Sequence, residues 1–239
     1  MALVENVKAW GKNRLLSRLG AEDAQRLRAH LQPIPFEYKK MLYEAGQPFD
    51  FVYFPVSGVT SMLKTMEDGS ASEVGTTGNE GMVGLPLLFG ESSGGTSVHV
   101  EVPGDGFRMP ARLFRDALAR SSAMQTLMRR YSYAVFNQVS QLVACNRLHD
   151  VEQRCARWLL MAQDRTIGND FMLTHEVLSL MLGVRRSSVT VAAGRLSDAG
   201  LIEYRRGRVN ILDRPGLQRR SCECYEAIEH AYDHAFGDA

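Results

Sequence analysis

Between Phe107 and Gly168 the chain contains no glycine, whereas more than half of its 21 glycines crowd into residues 58–106. Glycine takes positive φ without a Cβ clash, so a dense run of it marks frequent tight turns. Among those glycines stand alternating runs such as "FVYFPVSGVTSMLK" and "TSVHVEV", whose apolar and polar residues fall on opposite faces of a strand. Asp68-Gly69 in "MEDGS" has hairpin-turn chemistry. Short strands joined by glycine-bearing turns predict a small antiparallel barrel or roll from Tyr38 to Phe107.

The glycine-free stretch has the opposite texture. Met124, Met128, Tyr131, Val135, Leu142 and Cys145 recur at helical spacing with Gln138 as the polar exception, and Leu127, Ala134, Val139 and Val143 form a second apolar side. This predicts a helix of about 30 residues, about 45 Å long. Two apolar sides must both be covered. One suits the roll, the other the same helix of a second chain. The dimer interface is expected at Met124, Met128, Tyr131, Val135 and Leu142. Shorter amphipathic helices are expected over 14–31, with Leu15, Leu19, Leu27 and Leu31 on one side, and from Val151 through Cys155, Trp158 and Leu159.

A third pattern follows the Gly168-Asn169 turn. Thr174 is suited to cap a helix whose inner face is Val177, Leu178 and Met181, and Gly183 stands where a tight turn would end it. In the next helix, from Arg186, Val189, Ala192, Ala193 and Leu196 share the inner face. Ser187, Thr190, Val191 and Gly194 then face out, small enough to approach base pairs closely. "RRGR" between "LIEY" and "RVNIL" adds an arginine-tipped hairpin. Helix, turn, helix and basic wing together point to DNA. The contacts are expected from Thr174, Arg185, Arg186, Ser187, Ser188, Thr190, Val191, Arg195, Arg206 and Arg208.

The formal net charge of only +1 hides a segregation. From Arg185 to Arg208 six arginines face only Asp198 and Glu203, and local cations are what release counterions from DNA. Catalysis is not expected: there is no P-loop, no G-x-S-x-G and no nucleophile–base pairing. No apolar run approaches the ~18 residues of a membrane span. The opening "MALVENVKAWGKNRLL" carries Glu5 and lacks a signal-peptide core. The four cysteines, none before Cys145, form no disulfide framework, so a reducing cytoplasmic setting with no membrane partner is expected. Cys222, Cys224, His230 and His234 are metal-ligand types, but Cys-x-Cys on a helix points its sulfurs about 200° apart, so convergence requires a later helix start. A tail helix packed on the winged unit is the favoured reading.

"YEAGQP", "PVSG", "GNEGMVG" and "LGVRRSSVT" make the chain from about His30 to Asp213 resemble the Crp–Fnr family of bacterial transcription regulators. The resemblance implies an α+β fold: an antiparallel β-roll with an N-terminal helix (1–110), a long dimerisation helix (111–149), and a winged helix-turn-helix with a helical tail (150–239). It implies a homodimer on double-stranded DNA with a two-fold symmetric operator, half-sites about one helical turn apart, and it leaves room for contact with RNA polymerase. The alternative is a ligand- or partner-binding module whose DNA-binding unit has lost its role.

This sequence departs from the cyclic-AMP-responsive members at named positions. Their recognition helix reads bases with Arg, Glu and a second Arg; here Arg186, Ser187 and Val191 stand there, which implies a different operator. Their roll binds the ribose through Gly-Glu and the phosphate through Arg-Ser or Arg-Thr; here Gly84, Leu85, Gly95 and Thr96 stand there. Without the arginine and the carboxylate, cyclic AMP is not expected to bind. These four positions are left as effector-pocket candidates for an unidentified ligand. With no cysteine before Cys145 the Fnr-type iron–sulfur centre is not expected, and neither His30 nor His99 has a readable axial partner for haem. No cofactor is expected.

Overall fold

The computed structural model describes residues 10–237. The stretch read for a signal peptide lies largely outside them. Two short helices, α1 (Arg14–Ser17) and α2 (Ala21–Arg28), replace the single helix expected over 14–31. Gly20, with ψ 156°, interrupts the helical backbone and starts α2 afresh, and the chain is already a strand at Gln32.

Seven strands follow: β1 (Gln32–Phe36), β2 (Met41–Tyr43), β3 (Phe51–Pro55), β4 (Val59–Thr65), β5 (Ala71–Thr77), β6 (Ser97–Val102) and β7 (Gly104–Pro110). They form two antiparallel sheets, ordered β1-β7-β3 and β2-β6-β4-β5. Val52, Phe54, Val98, Val100, Phe107 and Met109 fill the roll. The turn into β4 requires glycine: Gly58 has φ 88°, and a Cβ there would lie 2.6 Å from the Val102 carbonyl oxygen.

The glycine-free stretch holds two helices before the DNA-binding unit, α3 (Ala111–Ala119) and the 27-residue α4 (Ser122–Leu148). They are separated by Ser121, whose hydroxyl accepts from the Met124 amide at 3.1 Å and caps α4. α4 lies on the roll. Tyr131 Oη accepts from the Met82 amide and donates to its carbonyl, both at 3.0 Å. Gly81 makes room for the phenol, since a Cβ there would meet Tyr131 Oη at 2.3 Å. Gln138, the polar exception, is fully buried: its Nε2 donates to the Thr76 carbonyl at 2.9 Å and its Oε1 accepts from Tyr232 at 3.2 Å.

This packing corrects the expected dimer interface. Met124, Met128, Tyr131, Val135 and Leu142 are core residues of one chain, none more than 4% exposed. Helical periodicity finds an apolar face but does not say what covers it. The large apolar side chains that α4 leaves exposed are Tyr133, Phe136, Val143 and Leu148.

A capping box of Asp150 and Gln153 starts α5 (Val151–Asp164) immediately after α4. β8 (Asp170–Met172), α6 (His175–Leu182), α7 (Arg186–Asp198), β9 (Ile202–Arg205) and β10 (Arg208–Ile211) complete a winged unit with sheet order β8-β10-β9. Then come α8 (Arg214–Arg220) and α9 (Cys224–Phe236). Contrary to expectation, α9 lies chiefly along α4 and touches α5 less, because Tyr232 donates to Gln138 and Cys224 accepts from Gln141, while Asp233 pairs with Arg14 of α1 at 2.7 Å.

Buried polar contacts join the winged unit to the roll. Arg165 pairs with Glu80 at 2.8 Å and donates to Thr76 Oγ1 at 2.7 Å. Trp158 Nε1 and Ser61 Oγ both donate to Glu73, whose carboxyl is pushed up to about 7 by burial. Among the described residues no helix is long and apolar enough to cross a membrane.

Candidate nucleic-acid interface and effector cavity

The α6–α7 pair is built as its residues dictate. Thr174 Oγ1 accepts from the Val177 amide at 3.2 Å, which makes it the N-cap and engages its oxygen in the fold. Gly183, at φ 60°, ends α6 in the left-handed conformation. α7 buries Val189, Ala192, Ala193 and Leu196 against α5 and α6. Arg185, Arg186, Ser187, Thr190, Val191, Gly194 and Arg195 are exposed, and Ser188 is half-buried. Val191 stands 55% exposed, unusual for an aliphatic side chain amid polar ones and suited to meet a thymine methyl.

His175 is a residue that sequence reasoning passed over. Thr190 Oγ1 donates to the Arg186 carbonyl at 3.1 Å, so at 3.1 Å it accepts the proton of His175 Nδ1. The imidazole stacks edge-on against Tyr204 of the wing. Its Nε2 is buried without a hydrogen-bond partner among the described residues, and burial, then the Arg186 charge, holds its pKa below the usual histidine range. One side chain therefore ties α6, α7 and β9 together. Its partners lie 15 residues or more along the chain, beyond any local pattern.

The wing turns at Arg206-Gly207, with φ 48° and 75°, two left-handed residues as a tight two-residue hairpin requires. Arg206 holds a conformation that costs a non-glycine residue about 1–2 kcal/mol. The arginines differ in their commitments. Arg205 pairs with Glu203 at 2.7 Å, Arg208 with Asp170 at 3.0 Å and Arg195 with Glu152 at 3.6 Å. Arg185, Arg186 and Arg206 have no ion pair among the described residues.

Between the roll and α4 lies a cavity of about 380 Å³ whose wall includes Tyr43, Met82, Leu85, Thr96, Val135 and Phe136. Gly84 also lines it, but Gly95 does not; the Gly95 carbonyl accepts from the exposed Lys64 ammonium at 2.9 Å. None of the lining residues carries a charge. Burial holds the phenols of Tyr43 and Tyr131 well above the ordinary tyrosine range, so both stay neutral. In the tail, Cys222 and Cys224 are buried, whereas His230 and His234 are exposed on α9 and converge with neither. α9 begins only at Cys224, which carries the two histidines onto its outer side, so the four metal-ligand types of the tail do not form one set.

A roll with a helix-walled cavity, joined by one long helix to a winged helix-turn-helix, is the architecture of a DNA-binding regulator. Residues 33–121 match the cyclic nucleotide-binding domain family, and residues 153–220 match the Crp-like helix-turn-helix domain family. The chain is 24% identical over 199 residues to the global nitrogen regulator of Synechococcus elongatus, covering 80% of this chain and 90% of that protein. FixK2 of Bradyrhizobium japonicum superposes with TM-score 0.68 at 14% identity, over 80% of this chain and 98% of that one. A CRP-family transcriptional regulator of Thermus thermophilus gives 0.64 at 19% identity, over 79% of this chain and 96% of that one. The chain belongs to the Crp–Fnr family: it is a DNA-binding transcription regulator, not an enzyme.

Proposed function

We propose that this regulator acts as a homodimer on a two-fold symmetric operator and that cyclic AMP does not control it. The observation that carries the second part is the uncharged wall of the roll cavity. A cyclic phosphate buried there would lack the charge-assisted partner that offsets its desolvation. The same wall suits a neutral, largely apolar effector. Phe136 belongs both to this wall and to the exposed stripe of α4. A bound ligand would therefore touch the surface through which two chains pair, and differential contact there is what shifts a two-state regulator.

The stripe Tyr133, Phe136 and Val143 supports the dimer reading, since monomers rarely leave such neighbouring apolar groups in water. For DNA, the reading assigns base contact to Arg186 with Ser187, Thr190 and Val191 beside it, and phosphate contact to Arg185, Arg195, Arg206 and Arg208. Thr174, whose oxygen caps α6, reaches DNA at most through the backbone, and half-buried Ser188 stands at the edge of the contact surface. Contact with RNA polymerase follows if the protein activates.

Calorimetry tests the cavity reading. Neither cyclic AMP nor cyclic GMP should give binding heat at micromolar protein, and neither should alter affinity for DNA selected from a random pool. A micromolar dissociation constant with tighter DNA binding on saturation would overturn it, and would direct attention to Lys64 beside Gly95 as a phosphate partner.

A further inference from the structure

Cys145 and His149 stand one turn apart at the end of α4, and Cys222 and Cys224 flank Glu223 at the start of α9. Their four candidate ligand atoms all lie within 4.8 Å of one another. Cys145 Sγ is 3.5 Å from Cys222 Sγ, and Cys224 Sγ is 3.5 Å from His149 Nδ1. A disulfide would hold its sulfurs about 2.0 Å apart. Ligands bound tetrahedrally at about 2.0–2.3 Å from one Zn²⁺ stand about 3.5–3.8 Å from each other. The two 3.5 Å separations are those of ligands around a single ion, and the 4.8 Å bound on the whole group leaves about 1 Å to close as the ligands gather. Cys222 precedes the helix and Cys224 opens it, so the two sulfurs turn to the same side instead of splaying.

The surroundings fit an ion as well. His149 Nε2 lies 3.1 Å from Glu223 Oε2, which orients the ring and leaves Nδ1 facing the sulfurs. Such carboxylate–histidine pairing is the usual support of a zinc-bound imidazole. Gln141 Nε2 donates to Cys224 Sγ at 3.1 Å. Arg154 and Arg157 are buried nearby, each with an Nε that has no hydrogen-bond partner among the described residues. Three thiolates around one Zn²⁺ leave a net negative charge, which buried guanidinium groups offset. Cys155, although buried, stands outside the cluster.

We propose that Cys145, His149, Cys222 and Cys224 bind one Zn²⁺ in a closed Cys₃His site that staples the C-terminal segment to the end of α4. Three S–H bonds give up their protons to solvent as three Zn–S bonds form, and the neutral imidazole completes the four ligands. His149 and Asp150 are the joint between α4 and α5, so the ion fixes the angle at which the winged unit leaves the long helix. An iron–sulfur cluster spreads its ligands wider than a single ion, and the compactness of this group favours Zn²⁺.

The test needs no DNA, so its outcome is separate from that of the proposed function. Full-length protein purified under reducing conditions without chelator is assayed for metal, then stripped and titrated with Co²⁺. About one zinc per chain is expected, with the visible and thiolate charge-transfer bands of tetrahedral Co²⁺ appearing on titration. The Cys222→Ser/Cys224→Ser pair should abolish the bands, and Glu223→Gln should weaken Co²⁺ binding about 10–100-fold. Stripping should speed amide exchange over 145–153 and 221–226 and leave the roll unchanged. If the double variant does not fold, the wild-type cobalt spectrum decides alone. Wild type that carries no stoichiometric zinc and gives no thiolate–cobalt band would overturn the proposal. So would a Cys145–Cys222 disulfide in the reduced preparation, or an iron–sulfur chromophore.

Discussion

The two sides of α4 are both apolar, yet they meet different fates. On one side Tyr131 is 1% exposed, seated over Gly81 and hydrogen-bonded to both polar groups of the Met82 backbone. On the other Phe136 is 65% exposed, at the rim of the cavity. The difference is one of complementarity, not of hydrophobicity. The roll supplies a glycine notch, a backbone partner for the phenol and a carbonyl for Gln138, and so claims the face that carries matching groups. The proposed dimer would cover the face without such matches with a surface of its own kind, a second α4.

Substitutions on the two sides should therefore fail in different ways. Tyr131→Ala removes a buried ring and two hydrogen bonds, and should destabilise the chain by about 3–5 kcal/mol in urea unfolding at fixed protein concentration. Loss of dimer with unchanged unfolding of the subunit would show that Tyr131 belongs to the seam after all. Val143→Glu, remote from the cavity, should leave circular dichroism unchanged but yield monomers. Two valines lost from a symmetric seam are worth about 3 kcal/mol, roughly a hundred-fold in dimer dissociation.

The same contrast between committed and uncommitted groups orders the arginines. Arg186→Ala should cost specific DNA about 1–3 kcal/mol and scrambled DNA little. Arg206→Ala should weaken both alike and lower the salt slope by about 1, and Arg208→Ala should do less because Asp170 already holds that side chain. Equal losses on both DNAs for Arg186→Ala would remove it from base reading. The smallest effect concerns His175. Its folded pKa lies below the unfolded 6.5, so its contribution to stability is present above pH 6.5 and is lost as pH falls through the folded value. Wild type should lose more stability than His175→Asn between pH 7.5 and pH 5.5, read from urea midpoints.

Much of this was legible in the residues. Glycine spacing gave the roll, Gly183 and the Val189–Leu196 periodicity gave the helix pair and its outer face, and "RRGR" gave the wing. Local rules carried those parts because each depends on neighbours a few positions apart. What stayed hidden depends on distant partners. The choice of α4 face rests on Gly81 and Met82, some fifty residues before Tyr131. The role of Gln138 rests on Thr76 and Tyr232, and that of His175 on Thr190 and Tyr204. The cysteine cluster joins Cys145 to Cys222 across 77 positions, so spacing within the tail offered the wrong histidines.

The central claim, that exposed α4 stripes pair two chains which then read a symmetric site, can be met head-on by sedimentation velocity. Wild-type protein at micromolar concentration would be followed alone and with a fluorescent duplex recovered by selection from a random pool. The account predicts a dimer before DNA is added, two chains on each duplex afterwards, and neither state for Val143→Glu. A wild-type monomer that binds the duplex as a single chain would contradict it.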